Sequence, residues 1–158
     1  MSNPMPLLDL RLATTTDQPF LDQLYRSTRE DLLLLGDTPA IEGLITLQQQ
    51  VQDKGYRSQF PDARHLLLWQ NGQPVARLVI DETLDRLHIV DLTVLATERS
   101  QGYGTILLRW AQAQASAAGI ALELNVRRFN QGAQRLYLKL GFQRIGGDEV
   151  SDHMRWQG

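Results

Sequence analysis

The 158-residue chain contains no cysteine. That absence removes disulfides, a thiolate nucleophile, an acyl-enzyme through sulfur and cysteine-ligated zinc together. An excess of either charge is also missing. The 16 Lys+Arg and 18 Asp+Glu leave a formal net charge of −2, which is no footprint for unspecific nucleic-acid binding. Polybasic runs and acidic tails are absent, so charge names no partner. No apolar run is longer than Leu32 to Leu35, far too short to cross a membrane. Met1 to Leu12 shows no positive patch followed by an apolar core, so no signal peptide is read there. Low-complexity segments and internal repeats are missing too. His65 and His153 stand alone, without metal-ligand spacing; no metal is expected and neither is given a function. The expectation is one soluble, cytoplasmic domain over 1–158, burying roughly two-thirds of the surface its unfolded chain would expose.

What is present reads as alternating strands and helices. Leu8 to Ala13 alternates as a first strand. Thr14 to Asp17 offer N-cap oxygens, after which Phe20, Leu21, Leu24 and Tyr25 recur at helical spacing. The apolar stretch Asp31 to Leu35 stops at Gly36. Thr38-Pro39 open a second helix with Ile41, Leu44, Ile45 and Val51 as its stripe, closed by Pro61. His65 to Gln70 and Val75 to Ile80 flank Asn71-Gly72, a dipeptide suited to a tight hairpin because both residues tolerate positive φ. Leu87 to Leu95 is a third strand of this middle region. Gly102 to Ala118 follows as a helix with Ile106, Leu107, Trp110, Gln114 and Ala117 on one face, ended by Gly119. Ile120 to Val126 is a strand, and Gln131 to Leu140 a helix presenting Ala133, Leu136, Tyr137 and Leu140 before Gly141. Phe142 to Ile145 and His153 to Trp156 close the chain as two strands around a Gly146-Gly147 turn. The order β-α-α-β-β-β-α-β-α-β-β predicts a mixed α/β domain, its mostly antiparallel central sheet flanked by helices.

The sharpest chemical signal is Arg99-Ser100-Gln101-Gly102-Tyr103-Gly104-Thr105, between a strand and a helix. Glycines at such a junction let the backbone approach a ligand and turn N–H groups outward, and the helix start adds partial positive charge. A P-loop requires Gly-Lys-Ser/Thr, and no lysine precedes Thr105. A Rossmann fingerprint requires Gly or Ala where Leu107 stands. The pattern present is R-x-x-G-x-G. By itself it describes either a tight turn or a metal-free anion cradle made of main chain.

Downstream, Asn130, Ala133, Tyr137, Gly141 and Phe142 have the spacing N-x-x-A-x-x-x-Y-x-x-x-G-F. The two stretches together resemble the GNAT superfamily of acetyl-CoA-dependent N-acetyltransferases, whose CoA signature is (Q/R)-x-x-G-x-(G/A). The resemblance is strongest from His88 to Phe142, and the element order matches over essentially the whole chain. It implies that the exposed backbone of Leu92, Thr93 and Val94 pairs with the pantetheine amides, and that Arg99 to Thr105 wrap the pyrophosphate. It further implies that Asn130 reaches the pantetheine side, beside Ala133 on the same helix, and that Tyr137 points its hydroxyl at the thioester sulfur.

The implied reaction has two proton steps. An alkylamine titrates near ~10.4, so it must lose a proton before attack. The departing thiolate, whose thiol titrates at about 8.5, needs a hydrogen-bond donor; a tyrosine at about 10 is the weaker acid and serves by hydrogen bonding as the sulfur leaves. Direct transfer in a ternary complex is expected. Tyr137 has a plainer reading as a core tyrosine that finds a carbonyl. His88 sits where some family members carry a glutamate base, and a neutral imidazole there would accept the amine proton directly or through water; an ordinary half-buried strand histidine is the other reading. Asp91 is the rival base or amine-orienting carboxylate, or else a hydrogen-bond partner for a bulge N–H.

The acceptor is expected to be a small-molecule or peptide amine entering between the first two helices and the last hairpin. Tyr25, Arg29 and Tyr56 come from the first region and Asp148, Glu149 and Asp152 from the second. These acids favour a cationic amine unless they simply face water. Nothing marks nucleic acid or membrane as a partner. Family members are often dimers, but no apolar stripe declares an interface, so a homodimer is an expectation of the resemblance alone. Two other functions fit the same residues: a CoA-binding sensor or interaction module without catalysis, and a phosphate-binding α/β protein unrelated to CoA.

Overall fold

The computed structural model describes residues 8–158; Met1–Leu7, part of the segment read for a signal peptide, lie outside them. The chain runs β1 (Leu10–Leu12), α1 (Gln18–Ser27), α2 (Glu30–Leu33), α3 (Pro39–Gln59), β2 (Arg64–Gln70), β3 (Gln73–Glu82) and β4 (Arg86–Val94). It continues with α4 (Tyr103–Ala118), β5 (Ala121–Arg127), α5 (Gln131–Lys139), β6 (Gln143–Gly147) and β7 (Ser151–Trp156). The strands form one sheet in the order β1-β2-β3-β4-β5-β7-β6. Its neighbours are antiparallel except β4 and β5, which α4 connects as a crossover.

Local chemistry explains most boundaries. The Thr14 amide donates to Asp17 Oδ2 at 2.8 Å, closing the turn before α1. Thr38 Oγ1 accepts from the Ile41 amide at 3.3 Å and caps α3, with Pro39 in its first turn. Asn71 (φ 52°) and Gly72 (φ 77°) form the expected β2–β3 turn, both left-handed.

Three expectations shift. The first helical stretch divides into α1 and the single turn α2. The buried face of α4 carries Leu107, Leu108, Ala111, Gln112 and Ala115, while Ala117 is exposed. Two alanines there let the helix lie close to the sheet, a packing detail that apolar periodicity cannot rank. Gly146-Gly147 is not the closing turn: β6 continues through both, and Asp148 Oδ1 makes the turn by accepting from the Val150 and Ser151 amides, each at 2.8 Å.

One sheet face packs Leu66, Leu78, Ile80, Leu87, Ile89, Leu122, Leu124 and Met154 against Leu107, Leu108 and Phe142. Alternation turns Leu67 and Val79 to the opposite face. That face also carries Arg77 and His88, and α3 meets it through Gln52, followed by its C-cap residue Phe60. Opposite Val79 and Ile80, β4 places Asp91 and Ile89, so Val90 is the extra residue of a bulge. The bulge brings His88 and Asp91 onto the same face, the one covered by α3.

Candidate active site

Strands β4 and β5 part company halfway along. Their register ends at Ile89–Leu124; beyond it β5 pairs only with β7, while β4 runs on to Val94 beside β3 alone. The edge of β4 turned towards β5 is therefore bare over Leu92, Thr93 and Val94. A groove of about 630 Å³ opens along it. Its walls are those three residues, Arg99 and Ser100, the turn Gly102 to Thr105, and Asn130, Ala133 and Tyr137 from α5. Gln101 is exposed and does not line it, whereas Glu98 and Leu136 do, without any motif having named them.

The glycine turn has the build of an anion cradle. Ser100 (φ 66°) and Gly102 (φ 83°) are left-handed, which reverses the chain into α4. The first amide of α4 with a backbone partner is Ile106, bonded to Gly102 O at 3.0 Å. Among the described residues, no hydrogen bond takes the amides of Tyr103, Gly104 or Thr105, and these end the helix at its positive pole. A Cβ at Gly104 would meet only Leu92 Cδ2, at 3.9 Å. The protein itself tolerates a side chain there; its absence leaves room for a ligand.

Across the groove, Asn130 Oδ1 caps α5 by accepting from the Ala133 amide at 3.1 Å, leaving its NH2 to donate. Tyr137 is half-buried, its ring edge-on to Phe142 with centroids 5.7 Å apart. Its hydroxyl has no protein partner among the described residues. Burial, then the charge of Asp91, pushes the phenol pKa up, so it stays a protonated donor.

The two strand-borne proton acceptors meet different surroundings. Arg77 donates to Asp91 Oδ2 from Nη2 at 2.6 Å and from Nε at 2.9 Å, and Thr93 Oγ1 donates to Oδ1 at 2.9 Å. The carboxylate is thus engaged in a largely buried ion pair beside the bulge. His88 is buried, edge-on to Phe60 at 5.3 Å, and its Nδ1 has no partner among the described residues. Burial, reinforced by Arg86 and His153, pushes its pKa down to about 4; the ring is neutral and a weak base. Tyr56 is pushed up to about 12, by burial and by Asp91.

In the last hairpin, Asp148 and Asp152 are spent internally. Asp152 Oδ1 accepts from Arg144 Nε at 2.8 Å and Arg128 Nε at 3.1 Å, and Asp148 holds its own turn. Glu149, between them, is exposed. A second cavity, about 700 Å³, is instead lined by Tyr25, Arg29, Arg99 and Arg127. Arg29 pairs with Asp31 at 3.2 Å; among the described residues, Arg99 and Arg127 are in no ion pair.

The sequence reading missed one cluster on this face. His153 Nε2 lies 2.5 Å from Glu123 Oε1, and its Nδ1 lies 2.7 Å from Asn125 Oδ1. Burial pushes the Glu123 pKa up, but the His153 hydrogen bond, Arg155 and Arg86 together hold it below the usual range. The only sequence signal was the alternation that puts Glu123 and Asn125 on one face of β5; their partner is 28 positions beyond Asn125.

Among the described residues, no helix is long and apolar enough to cross a membrane, and no group of three His, Cys, Asp or Glu stands ready for a metal ion. The sequence model of the Acetyltransferase (GNAT) family matches residues 22–142. The aminoalkylphosphonate N-acetyltransferase of Salmonella typhimurium is 28% identical over 152 residues, spanning 88% of this chain and 87% of its own length. The PaiA N-acetyltransferase of Thermoplasma acidophilum, in complex with coenzyme A, superposes with a TM-score of 0.72 at 18% identity, over 96% of this chain and 99% of that one. A GNAT family acetyltransferase from Elizabethkingia anophelis with acetyl-CoA bound has a TM-score of 0.65 at 17% identity, over 96% and 98%. The superpositions show the mixed α/β fold with its open, mostly antiparallel sheet, and the family match extends over most of the chain. The chain therefore belongs to the acetyltransferase (GNAT) family, and is an N-acetyltransferase that takes acetyl-CoA as its co-substrate.

Proposed function

We propose that the protein acetylates the primary amine of a small acceptor by direct attack in a ternary complex. Acetyl-CoA supplies the acyl group as a thioester. The amides of Tyr103, Gly104 and Thr105 bind its pyrophosphate, with Arg99 and Ser100 at the rim, because unpaired N–H groups at a helix start favour an anion. The bare edge of Leu92 to Val94 offers main-chain partners to an extended amide arm, as a sheet edge does to a peptide. Asn130 donates from its free NH2, and Ala133 keeps the α5 wall low. Tyr137 donates its hydroxyl to the departing sulfur. A phenol whose pKa is raised acts by hydrogen bonding ahead of full proton transfer. The observation that carries this reading is that, among the described residues, one groove holds an open strand edge, three unpartnered helix amides and a free phenol hydroxyl.

The acceptor enters from the opposite face. The cavity lined by Arg127, which is in no ion pair among the described residues, supports an amine that also bears an anionic group, and the name of the Salmonella relative, an aminoalkylphosphonate N-acetyltransferase, agrees with that chemistry. We read residues 1–158 as one domain, since one sheet runs through the described residues.

Release of free CoA thiol, followed with a panel of amines, tests this reading; the protein has no thiol of its own to raise the background. Release with small amines, and intersecting double-reciprocal lines when both substrates are varied, are expected. Tight acetyl-CoA binding without release by any amine points instead to a silent module, and parallel lines would refute direct transfer.

A further inference from the structure

The second cavity adjoins the groove along β4, because Arg99 belongs to the wall of both. Its charged wall is weighted towards cations. Arg29, Arg99 and Arg127 stand against Glu30 and Asp31, of which Asp31 is taken by Arg29 and Glu30 is exposed. The α3 wall contributes Gln52, which is half-buried.

Gln52 ends a hydrogen-bonded chain that begins in the groove. Thr93, on the bare edge of β4, donates from Oγ1 to Asp91 Oδ1, and Asp91 Oδ2 accepts from Arg77. Arg77 Nη2 also donates to Gln52 Oε1, at 3.3 Å. Arg77 is 7% exposed, and a guanidinium only donates. The amide oxygen of Gln52 must therefore face Arg77, since the reverse orientation sets two donors against each other. That leaves the NH2, and no residue among those described accepts from it. An amide locked from behind at the wall of a cavity is a fixed donor.

We propose that Gln52 is a specificity-determining residue for the acceptor. Its NH2 donates to an oxygen of the acceptor's anionic group, and the chain through Arg77 and Asp91 holds that oxygen in register with the edge of β4. The proposal rests on the reading, given above, of an amine acceptor that bears an anionic group. Selection is by polarity. An ammonium brings only hydrogens and finds no acceptor in the Gln52 NH2, so the reacting nitrogen is turned away from α3 and the anionic end towards it.

A purely structural Gln52, there to hold Arg77, predicts a different order for two variants. Gln52→Glu keeps an acceptor for Arg77 but replaces the donor with a negative charge. Gln52→Met keeps the length and loses both functions of the amide. If Gln52 only steadies Arg77, Met is the damaging change and Glu is harmless. If Gln52 faces the anion of the acceptor, Glu is the worse of the two.

The test uses the full chain, acetyl-CoA and amines of similar length: 2-aminoethylphosphonate and β-alanine as anionic acceptors, n-propylamine as the neutral one. The readout is the ratio of kcat/KM for the better anionic amine to that for propylamine. Gln52→Glu is expected to lower this ratio about 100-fold and Gln52→Met about tenfold, with the loss falling on KM for the anionic amine. A wild-type ratio in Gln52→Glu, or a ratio lowered no more by Glu than by Met, overturns the proposal. If Gln52→Glu does not fold, Gln52→Met decides alone, and an unchanged ratio overturns it. A wild type that acetylates propylamine but neither anionic amine also overturns it and leaves acetyl transfer standing. A wild type that binds acetyl-CoA yet releases no CoA with any amine overturns both.

Discussion

In the groove proposed for CoA, the groups offered to a ligand are mostly main chain: the bare edge of β4, the turn around Gly102 and the first amides of α4. In the second cavity the lining side chains come from distant segments: Tyr25 of α1, Arg29 before α2, Arg99 before α4 and Arg127 at the end of β5. The difference teaches where each kind of specificity resides. A main-chain cradle serves one constant partner and depends on backbone shape. A side-chain chamber can be re-lined one residue at a time without disturbing the sheet.

The largest effect is expected where charge invades the main-chain cradle. Gly104→Asp places a carboxylate against the pyrophosphate position, and like charge in close contact costs several kcal/mol. Calorimetry should show acetyl-CoA binding weakened at least ~100-fold. The thermal midpoint of the free protein should scarcely move, because the added Cβ meets only Leu92. Retained affinity would place the cradle elsewhere.

Tyr137→Phe sharpens the comparison from within the groove. Losing the donor should lower kcat by about 100-fold with little change in acetyl-CoA affinity. A parallel loss in both would make Tyr137 a wall residue only.

On the acceptor side, Arg127→Ala should raise KM about tenfold for an amine bearing a phosphonate, phosphate or carboxylate, by removal of a charge-assisted hydrogen bond. Neutral amines should scarcely respond. Equal effects on both would break the link between this chamber and an acidic group.

The smallest effect concerns stability. His88, held near about 4 when folded, binds a proton at about 6.5 when unfolded. Between those values the unfolded chain carries the extra proton, so this group lowers stability as pH falls from about 6.5 towards 4. In His88→Leu the thermal midpoint should fall less than in the wild type on going from pH 7 to pH 5. Equal losses would mean that His88 titrates normally in the folded protein.

Legibility in the sequence followed the same division. R-x-x-G-x-G and the spacing from Asn130 to Phe142 lie within short segments, and the structure lines one groove with Arg99, Gly102, Gly104, Asn130, Ala133 and Tyr137, while Gly141 and Phe142 lie outside it. Turn chemistry was readable where it is encoded in adjacent residues, as at Asn71-Gly72. It was misread at Gly146-Gly147, because the strand continues through both glycines and the Asp148 side chain makes the turn. Asp91 was correctly placed beside a bulge, but its partner Arg77, 14 residues earlier on β3, had no local signal. His153 stood alone in the sequence for the same reason: register alone brings it to Glu123 and Asn125.

The amino-acid sequence by itself determined the order of strands and helices, the glycine turn at the start of α4 and the family. Each is written in contacts between near neighbours, where φ preferences, caps and apolar period act over a few residues. Only the tertiary structure decided that β4 and β5 diverge after Ile89, that Asp91 is paired with Arg77, that Asp152 is spent on Arg128 and Arg144, and that a histidine and a glutamate 30 positions apart meet at the opening. Those outcomes depend on sheet register and on which charges it juxtaposes, and register is set by packing the whole sheet at once.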